Sequence, residues 1–217
     1  MKKMKTQLLK KTIKVSLTTL LVLISTPSQA YLTVGESTEL PKQGQYRVGA
    51  EPQIVFNNGG FNFSGFADTA ITSDSSIRAH LGIGDTSFEA AASYKWIPIP
   101  DYGNQPGIGG KVEASYANKS GGNWTALRFM PLISKNFDTQ YGQVTPYGSI
   151  PLDLIGTPST TQSAVQLVGG CEYRSPDYSK WMFSAELGLN LNNAFSYVSG
   201  NVTYYLDETE SSVKTKH

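Results

Sequence analysis

Charged side chains at every second position of several short segments are the residues of this chain best suited to chemistry. Apolar or aromatic residues fill the alternate positions, so the charged side chains of each segment share one face. Acids and bases are nearly balanced on that face, as expected of groups that pair with one another. The set comprises Arg47, Glu51, Asp68, Arg78, His80, Glu89, Lys95, Lys111, Glu113, Arg128, Glu172 and Glu186.

His80 is the residue of this set that could act as a general base. Asp68 and Ser64 share a face of the preceding segment, so a Ser/His/Asp site, as in a lipid-modifying hydrolase, is one hypothesis. Arg78 competes with His80 for Asp68, however, and polar residues are expected all along such a face. We therefore predict no catalytic residue and no enzyme activity. Cys/His pairs at ligand spacing are missing from the sequence, so we also predict no metal site and no cofactor.

The alternating segments predict about ten strands between residues 45 and 206, separated by turns rich in Gly, Asn, Asp and Pro. Each is about ten residues long, which matches the 9–11 residues that cross a bilayer at a tilt. One face is continuously apolar and aromatic, whereas the other carries too much charge for a dry core. We therefore predict an all-β fold, a transmembrane antiparallel up-and-down β-barrel with polar side chains inside. Eight strands is the fallback if the proline-containing stretch 141–152 and a neighbour are irregular.

Two local predictions concern the connections between strands. Asn58 and Gly59 favour a tight hairpin turn, which would place Ile54 opposite Phe63 on the apolar face. Residues 153–161 lack a clear alternation and are predicted to form a loop. Several connections at the outer end are short, which argues against a receptor or adhesin, because those proteins need elaborate surface loops.

The N-terminal residues have the pattern of a secretory signal peptide: a lysine-rich start, an apolar run too short to span a membrane, and small residues at Ser28 and Ala30. Cleavage after Ala30 would remove six of the 18 basic residues and none of the 17 acidic ones, which leaves a formal net charge of −5. With no basic patch left, no nucleic-acid partner is expected. The predicted boundaries are a signal peptide at 1–30, a periplasmic lead-in at 31–44, the barrel at 45–206 and a polar tail at 207–217.

The final strand, Gly200-Asn201-Val202-Thr203-Tyr204-Tyr205-Leu206, runs from glycine to aromatic residues. Together with the signal peptide and the alternating strands, it resembles small bacterial outer-membrane β-barrel proteins. The resemblance implies a position in the outer membrane of a Gram-negative bacterium, contact with outer-membrane lipids and recognition by the barrel assembly machinery. A polar tail follows the aromatic residues here, whereas the usual signal ends the chain.

Small residues on the apolar face predict a contact between protomers, because close packing drives association within a membrane. They are Ala90, Ala92, Gly110 and Ala114. The sequence thus favours a structural or small, porin-like role, with the charged set either locking the barrel or lining a narrow pore, and a homo-oligomer as a further possibility. The alternatives are the hydrolase built on His80 and a soluble periplasmic barrel that binds apolar ligands.

Overall fold

The computed structural model describes residues 33–56, 60–85, 87–119, 122–158 and 160–207. The predicted signal peptide and residues 208–217 of the predicted tail lie outside these ranges. Within them, no helix is both long enough and apolar enough to cross a membrane. The strands are β1 (Gln45–Val55), β2 (Gly60–Ala70), β3 (Ser75–Gly84), β4 (Ser87–Ile99), β5 (Gly107–Lys119), β6 (Gly122–Ser134), β7 (Phe137–Thr139), β8 (Gly142–Ser149), β9 (Leu152–Gly156), β10 (Thr161–Arg174), β11 (Trp181–Asn192) and β12 (Tyr197–Asp207).

The strands form one antiparallel sheet that closes when β12 pairs with β1. β8 and β9 are two halves of one barrel strand, because both pair with β6 and β10, and Ser149 and Leu152 keep the same register against them. The break falls beside Pro151, which has no N–H for the ladder, although its carbonyl accepts the Gln166 N–H at 3.2 Å. With β7 only extending β8 as a short hairpin, the barrel has ten strands around its circumference, as predicted.

The predicted loop over 153–161 is wrong for its first part, because residues 152–156 form β9. Leu152 and Leu154 point outward and are exposed, whereas Asp153 and Ile155 point inward and are buried. The alternation was present but short. Its inward carboxylate is neutralised by a partner on β6, which the local sequence does not reveal.

The first hairpin also departs from its predicted register. Ile54 lies opposite Phe61 rather than Phe63. The chain just after β1 bonds to the residue before β12 instead of continuing the hairpin ladder with β2: the Phe56 N–H donates to the Ser196 carbonyl at 2.9 Å. The shift is an even number of residues, so every side chain of the hairpin keeps its predicted face.

The outer surface of the barrel is a belt of large apolar side chains. Phe63, Leu81 and Trp181, for example, are 45%, 60% and 41% exposed. A soluble barrel would hold this whole belt in water, which soluble proteins avoid, so the soluble alternative does not fit. The belt matches the lipid-facing surface of a transmembrane barrel.

The two ends of the barrel differ in the length of their connections. At one end, here called the turn end, the strands are joined through residues 56–59, 85–86, 120–121, 157–160 and 193–196. At the end that holds the start of β1 and the end of β12, here called the terminal end, they are joined through residues 71–74, 100–106, 135–141 and 175–180. The connections at the turn end are therefore the shorter ones, with two to four residues against four to seven at the terminal end.

Inside the barrel, three aromatic rings lie across glycines of a neighbouring strand. The pairs are Phe66 with Gly49, Tyr147 with Gly170 and Tyr197 with Gly188. A Cβ added at these glycines would lie 2.3, 2.2 and 2.1 Å from the respective ring. The missing side chains therefore make room for large rings in a narrow interior.

Gly188→Ala is expected to lower the free energy of unfolding by about 1–3 kcal/mol, because the Tyr197 ring would have to move. Urea unfolding of the detergent-solubilised barrel, followed by the difference in gel migration between folded and unfolded protein, would measure this. Gly169→Ala is the matched control, since its added Cβ would meet nothing within 4 Å. Equal losses in the two variants would contradict the packing role of Gly188.

Candidate functional site

Residues 33–39, here called the luminal segment, lie inside the barrel. Val34, Glu36 and Ser37 are at most 2% exposed, and the segment contacts side chains of strands from β1 to β12. The sequence analysis placed residues 31–44 outside the barrel as a periplasmic lead-in, and this is wrong for residues 33–38. The segment is surrounded by protein on all sides and has no lipid-facing side. Its sequence therefore lacks the alternating pattern that would have indicated a position inside the barrel.

The Glu36 carboxylate lies among four cations contributed by four strands. Its oxygens are 2.5 Å from Lys95 Nζ, 3.3 Å from Lys111 Nζ, 3.3 Å from Arg78 Nη2 and 3.5 Å from Arg47 Nη2. All five side chains are at least nine-tenths buried. Glu36 thus supplies the negative charge that brings these cations together.

Asp68 provides a second carboxylate for the two arginines. Arg47 donates to it from Nε at 2.6 Å and from Nη2 at 3.1 Å. Arg78 donates from Nε at 2.9 Å and from Nη2 at 2.6 Å. These charge-assisted bonds occupy both oxygens of the Asp68 carboxylate.

Two glutamates on the opposite wall bind N–H groups of the luminal segment. Glu186 accepts the Val34 N–H at 2.9 Å and the Gly35 N–H at 2.8 Å. It also accepts the hydroxyls of Tyr147, at 2.7 Å, and Tyr197, at 2.5 Å. Glu172 accepts both the backbone N–H of Ser37, at 2.7 Å, and its hydroxyl, at 2.6 Å.

Side chains of the wall also satisfy the carbonyl groups of the luminal segment. The donors are Arg128 to the Thr33 carbonyl at 2.9 Å, Lys111 to Val34 at 2.7 Å, Asn201 to Gly35 at 2.9 Å, and Lys95 to Ser37 at 3.1 Å and Glu39 at 2.8 Å. The main chain of the segment is therefore bound by side chains of the wall, in the manner of a peptide in a binding site.

Individual side chains of the segment also have their own surroundings. Val34 belongs to a buried apolar cluster with Met130, Leu132, Tyr147 and Val168. Gly35 has a φ of +68°, and a Cβ added to it would lie 3.0 Å from the Glu51 carboxylate. The Thr38 hydroxyl is 2.5 Å from that of Ser134.

The structure places all the charged residues singled out in the sequence inside the barrel. Arg128 donates to Asp153 at 2.7 Å and to Glu113 at 3.5 Å. His80 Nε2 lies 3.4 Å from Glu89 Oε1. Sequence reasoning missed two acids of this network, Glu36 in the segment and Asp153 in β9.

The structure does not assemble the hypothetical Ser/His/Asp site. Asp68 is engaged by two arginines, and His80 faces Glu89 instead. Ser64 and His80 do line a common cavity beside the luminal segment, but its volume is only about 10 Å³. That is about the space of one water molecule.

The rest of the described interior is filled towards the turn end and open towards the terminal end. At the turn end lies a buried apolar cluster of Ala117, Trp124, Ala126, Ile155, Ala164, Ala194 and Tyr197. At the terminal end, a recess of about 480 Å³ reaches Thr38, Glu39 and Leu40 of the incoming chain.

Asp101 lies at the rim of this recess, outside the strands. Its burial alone would raise its pKa, but hydrogen bonds from Lys135 and from the Asn136 N–H outweigh that effect and hold the pKa below its ordinary value. The Asp101 carboxylate thereby ties the 100–106 connection to the chain that follows β6.

The small residues of the outer face lie where the sequence placed them, on β4 and β5. Ala92 pairs directly with Ala114, and both are exposed. Ala90 and Gly110 also lie on this surface and are partly exposed. The continuous row of small side chains is that of Ala79, Ala92 and Ala114 across β3, β4 and β5, whereas Ala90 lies opposite Tyr116 and Gly110 opposite Trp96.

No protein-family model and no curated protein matches this sequence. Among solved structures, the translocator domain of the autotransporter NalP from Neisseria meningitidis is 12% identical, with a TM-score of 0.49 over 77% of this chain and 90% of that one. The beta domain of the Bordetella autotransporter BrkA is 12% identical, with a TM-score of 0.49 over 75% and 98%. An outer membrane channel from Pseudomonas putida is 9% identical, with a TM-score of 0.44 over 81% and 100%.

At these identities, the likeness concerns the barrel fold alone. The closed sheet of ten antiparallel strands, the apolar belt and the charged interior are the features of that fold. The chain folds as a closed ten-stranded antiparallel β-barrel with an apolar outer belt and a charged interior, which is the architecture of transmembrane barrels.

Proposed function

We propose that this protein is a structural, non-enzymatic barrel of the outer membrane whose interior is closed by its own luminal segment. The observation that carries the proposal is Glu36, whose carboxylate lies within 3.5 Å of four cations from four strands. Such a group crosslinks the wall from within, because each strand contributes a charge that needs the same partner.

A small, porin-like pore is the second candidate function. It is favoured by the polar groups that the luminal segment covers, among them Glu172, Glu186 and Arg128. The segment is held by hydrogen bonds and ion pairs, and the chain continues from it to the terminal end. Withdrawal towards that end would expose this polar wall to water.

Conductance across planar bilayers separates the two candidates. The wild-type protein is expected to give no stable conductance steps, since an apolar cluster fills the described interior at the turn end and the cavity beside the segment is only about 10 Å³. Glu36→Lys would place a fifth cation among four and should expel the segment. Conductance steps from this variant alone would establish the pore, silence from both would support the purely structural role, and steps from the wild type would overturn the closed barrel.

We also infer that the chain is exported by a cleaved signal peptide, inserted among outer-membrane lipids by the barrel assembly machinery, and assembled as a homo-oligomer. The N-terminal pattern that ends at Ser28 and Ala30 supports the first step, and the terminal strand, Gly200 to Leu206, supports the second. The exposed Ala92–Ala114 pair supports the last.

Mass spectrometry of the protein extracted in mild detergent tests both inferences. The protomer mass should correspond to a chain beginning at Tyr31, and the native mass to more than one protomer. Ala92→Trp with Ala114→Trp should reduce the native mass to that of a monomer, whereas Leu187→Trp on the far side, as a control, should not. An oligomer that survives the double substitution would contradict a contact through β4 and β5.

A further inference from the structure

We propose that the interior wall is a sequence-selective binding site for a peptide of the pattern apolar–Gly–acidic–hydroxyl, and that a separate peptide of this pattern occupies it when the luminal segment leaves. This inference rests on the proposed closure by the luminal segment. It goes further, because it assigns the wall a ligand class.

The wall recognises the main chain of the bound peptide. Carboxylates on β10 and β11 accept three N–H groups of the luminal segment, and cationic or amide groups on β4, β5, β6 and β12 donate to its carbonyls. Acceptors therefore lie on one side of the bound chain, and the donors lie around the rest of it. The consecutive N–H groups of Val34 and Gly35 reach the same carboxylate, so the arrangement suits a chain with a left-handed residue at the position of Gly35.

The wall also discriminates between side chains at the first two positions. Val34 fills an apolar pocket formed by Met130, Leu132, Tyr147 and Val168. The next position has a φ of +68° and lies against Glu51, so only glycine fits it without strain. A charged residue at the first position would lose its hydration, and any side chain at the second position would be strained by the left-handed backbone.

The third and fourth positions select by charge and hydrogen bonding. Four cations converge on the carboxylate of Glu36, which favours an acidic residue there. Glu172 accepts the hydroxyl of Ser37 at 2.6 Å, which favours serine or threonine. Four consecutive positions thus carry four different requirements.

A route to the site lies at the terminal end. The recess of about 480 Å³ there is lined by Thr38 and Glu39, the last residues of the luminal segment, and by Leu40. In the wild-type protein, the tethered segment competes at an effective concentration of roughly millimolar, so a separate peptide is expected to bind weakly. A variant with a weakened segment should bind it well.

The test uses the full-length protein in detergent and a fluorescent peptide with the sequence of residues 33–39 and blocked ends. Glu36→Lys is expected to bind this peptide at least about tenfold more tightly than the wild type does, by fluorescence anisotropy. Peptides with Gln at the position of Glu36, or Ala at the position of Gly35, should each bind about tenfold more weakly than the parent peptide. Asp177→Asn, in the exposed 175–180 connection outside the segment and the recess, is the matched control and should bind like the wild type.

Heat-modifiable gel migration shows whether each variant is folded. If Glu36→Lys does not fold, Glu36→Gln replaces it in the same measurement. Equal binding of the parent, Gln and Ala peptides, or no binding to a folded variant, would overturn the proposal. Conductance steps from Glu36→Lys without peptide binding would refute only the peptide site and leave the closing role of the segment intact. If the wild type bound the peptide as tightly as Glu36→Lys does, closure by the segment would be refuted.

Discussion

The Glu36→Lys variant is expected to unfold at a distinctly lower urea concentration than the wild-type barrel. Removing one partner of a buried ion pair costs about 3–5 kcal/mol, because the remaining charges are left buried without compensation. Here the remaining charges are four cations, and the new lysine adds another. Unfolding can be followed in detergent by the change in gel migration, with Lys95 and Lys111 expected to become more reactive towards amine reagents.

Glu39→Gln provides the control for this prediction. Glu39 pairs with Arg174 near the terminal end, at 2.7 Å, but both side chains are about one quarter exposed. Water screens such a pair, so its loss should change stability by no more than about 1 kcal/mol. If the two variants lost the same stability, the central position of Glu36 in the network would be refuted.

Asp68→Ala is expected to cause a loss of similar size, about 3–5 kcal/mol. It would take from Arg47 and Arg78 the carboxylate that accepts four of their hydrogen bonds. The two arginines would then have to share Glu36 with two lysines. Urea unfolding of the variant, beside Asp177→Ala in the exposed 175–180 connection, would measure the loss.

A double-mutant cycle with Arg47→Ala separates this ion pair from general damage. If the pair carries the effect, the double variant should be more stable than the sum of the two single losses implies. Simple additivity would show that Asp68 acts through something other than Arg47.

The sequence predicted the barrel well because its physical cause is local. Lipid on one side and polar groups on the other impose a period of two on every strand, and a short window reveals that period. Pairing details depend on more distant residues. Ile54 missed its predicted partner because the end of β1 bonds to Ser196, far along the chain.

Glu36 was not predicted because its partners, too, are distant in the sequence. The segment around it obeys no periodicity, since protein surrounds it on all sides. A signal for it existed elsewhere: Lys95 and Lys111 both point inward and lie directly opposite each other on β4 and β5. Like charges in that position repel, so an acid from outside the two strands was required. Identifying that acid needed the three-dimensional structure.

The contacts of the luminal segment also have a consequence for the order of folding. Val34 and Gly35 bind Glu186 across 152 and 151 residues of sequence, and Gly35 binds Asn201 across 166. These bonds form only when the last strands are in place, although the segment is synthesised first. Loop-closure entropy opposes such distant contacts until the intervening sheet has formed. Seating of the segment therefore belongs to the final stage of assembly, and slow hydrogen exchange at the Val34 and Gly35 amides marks a barrel that has completed its closure.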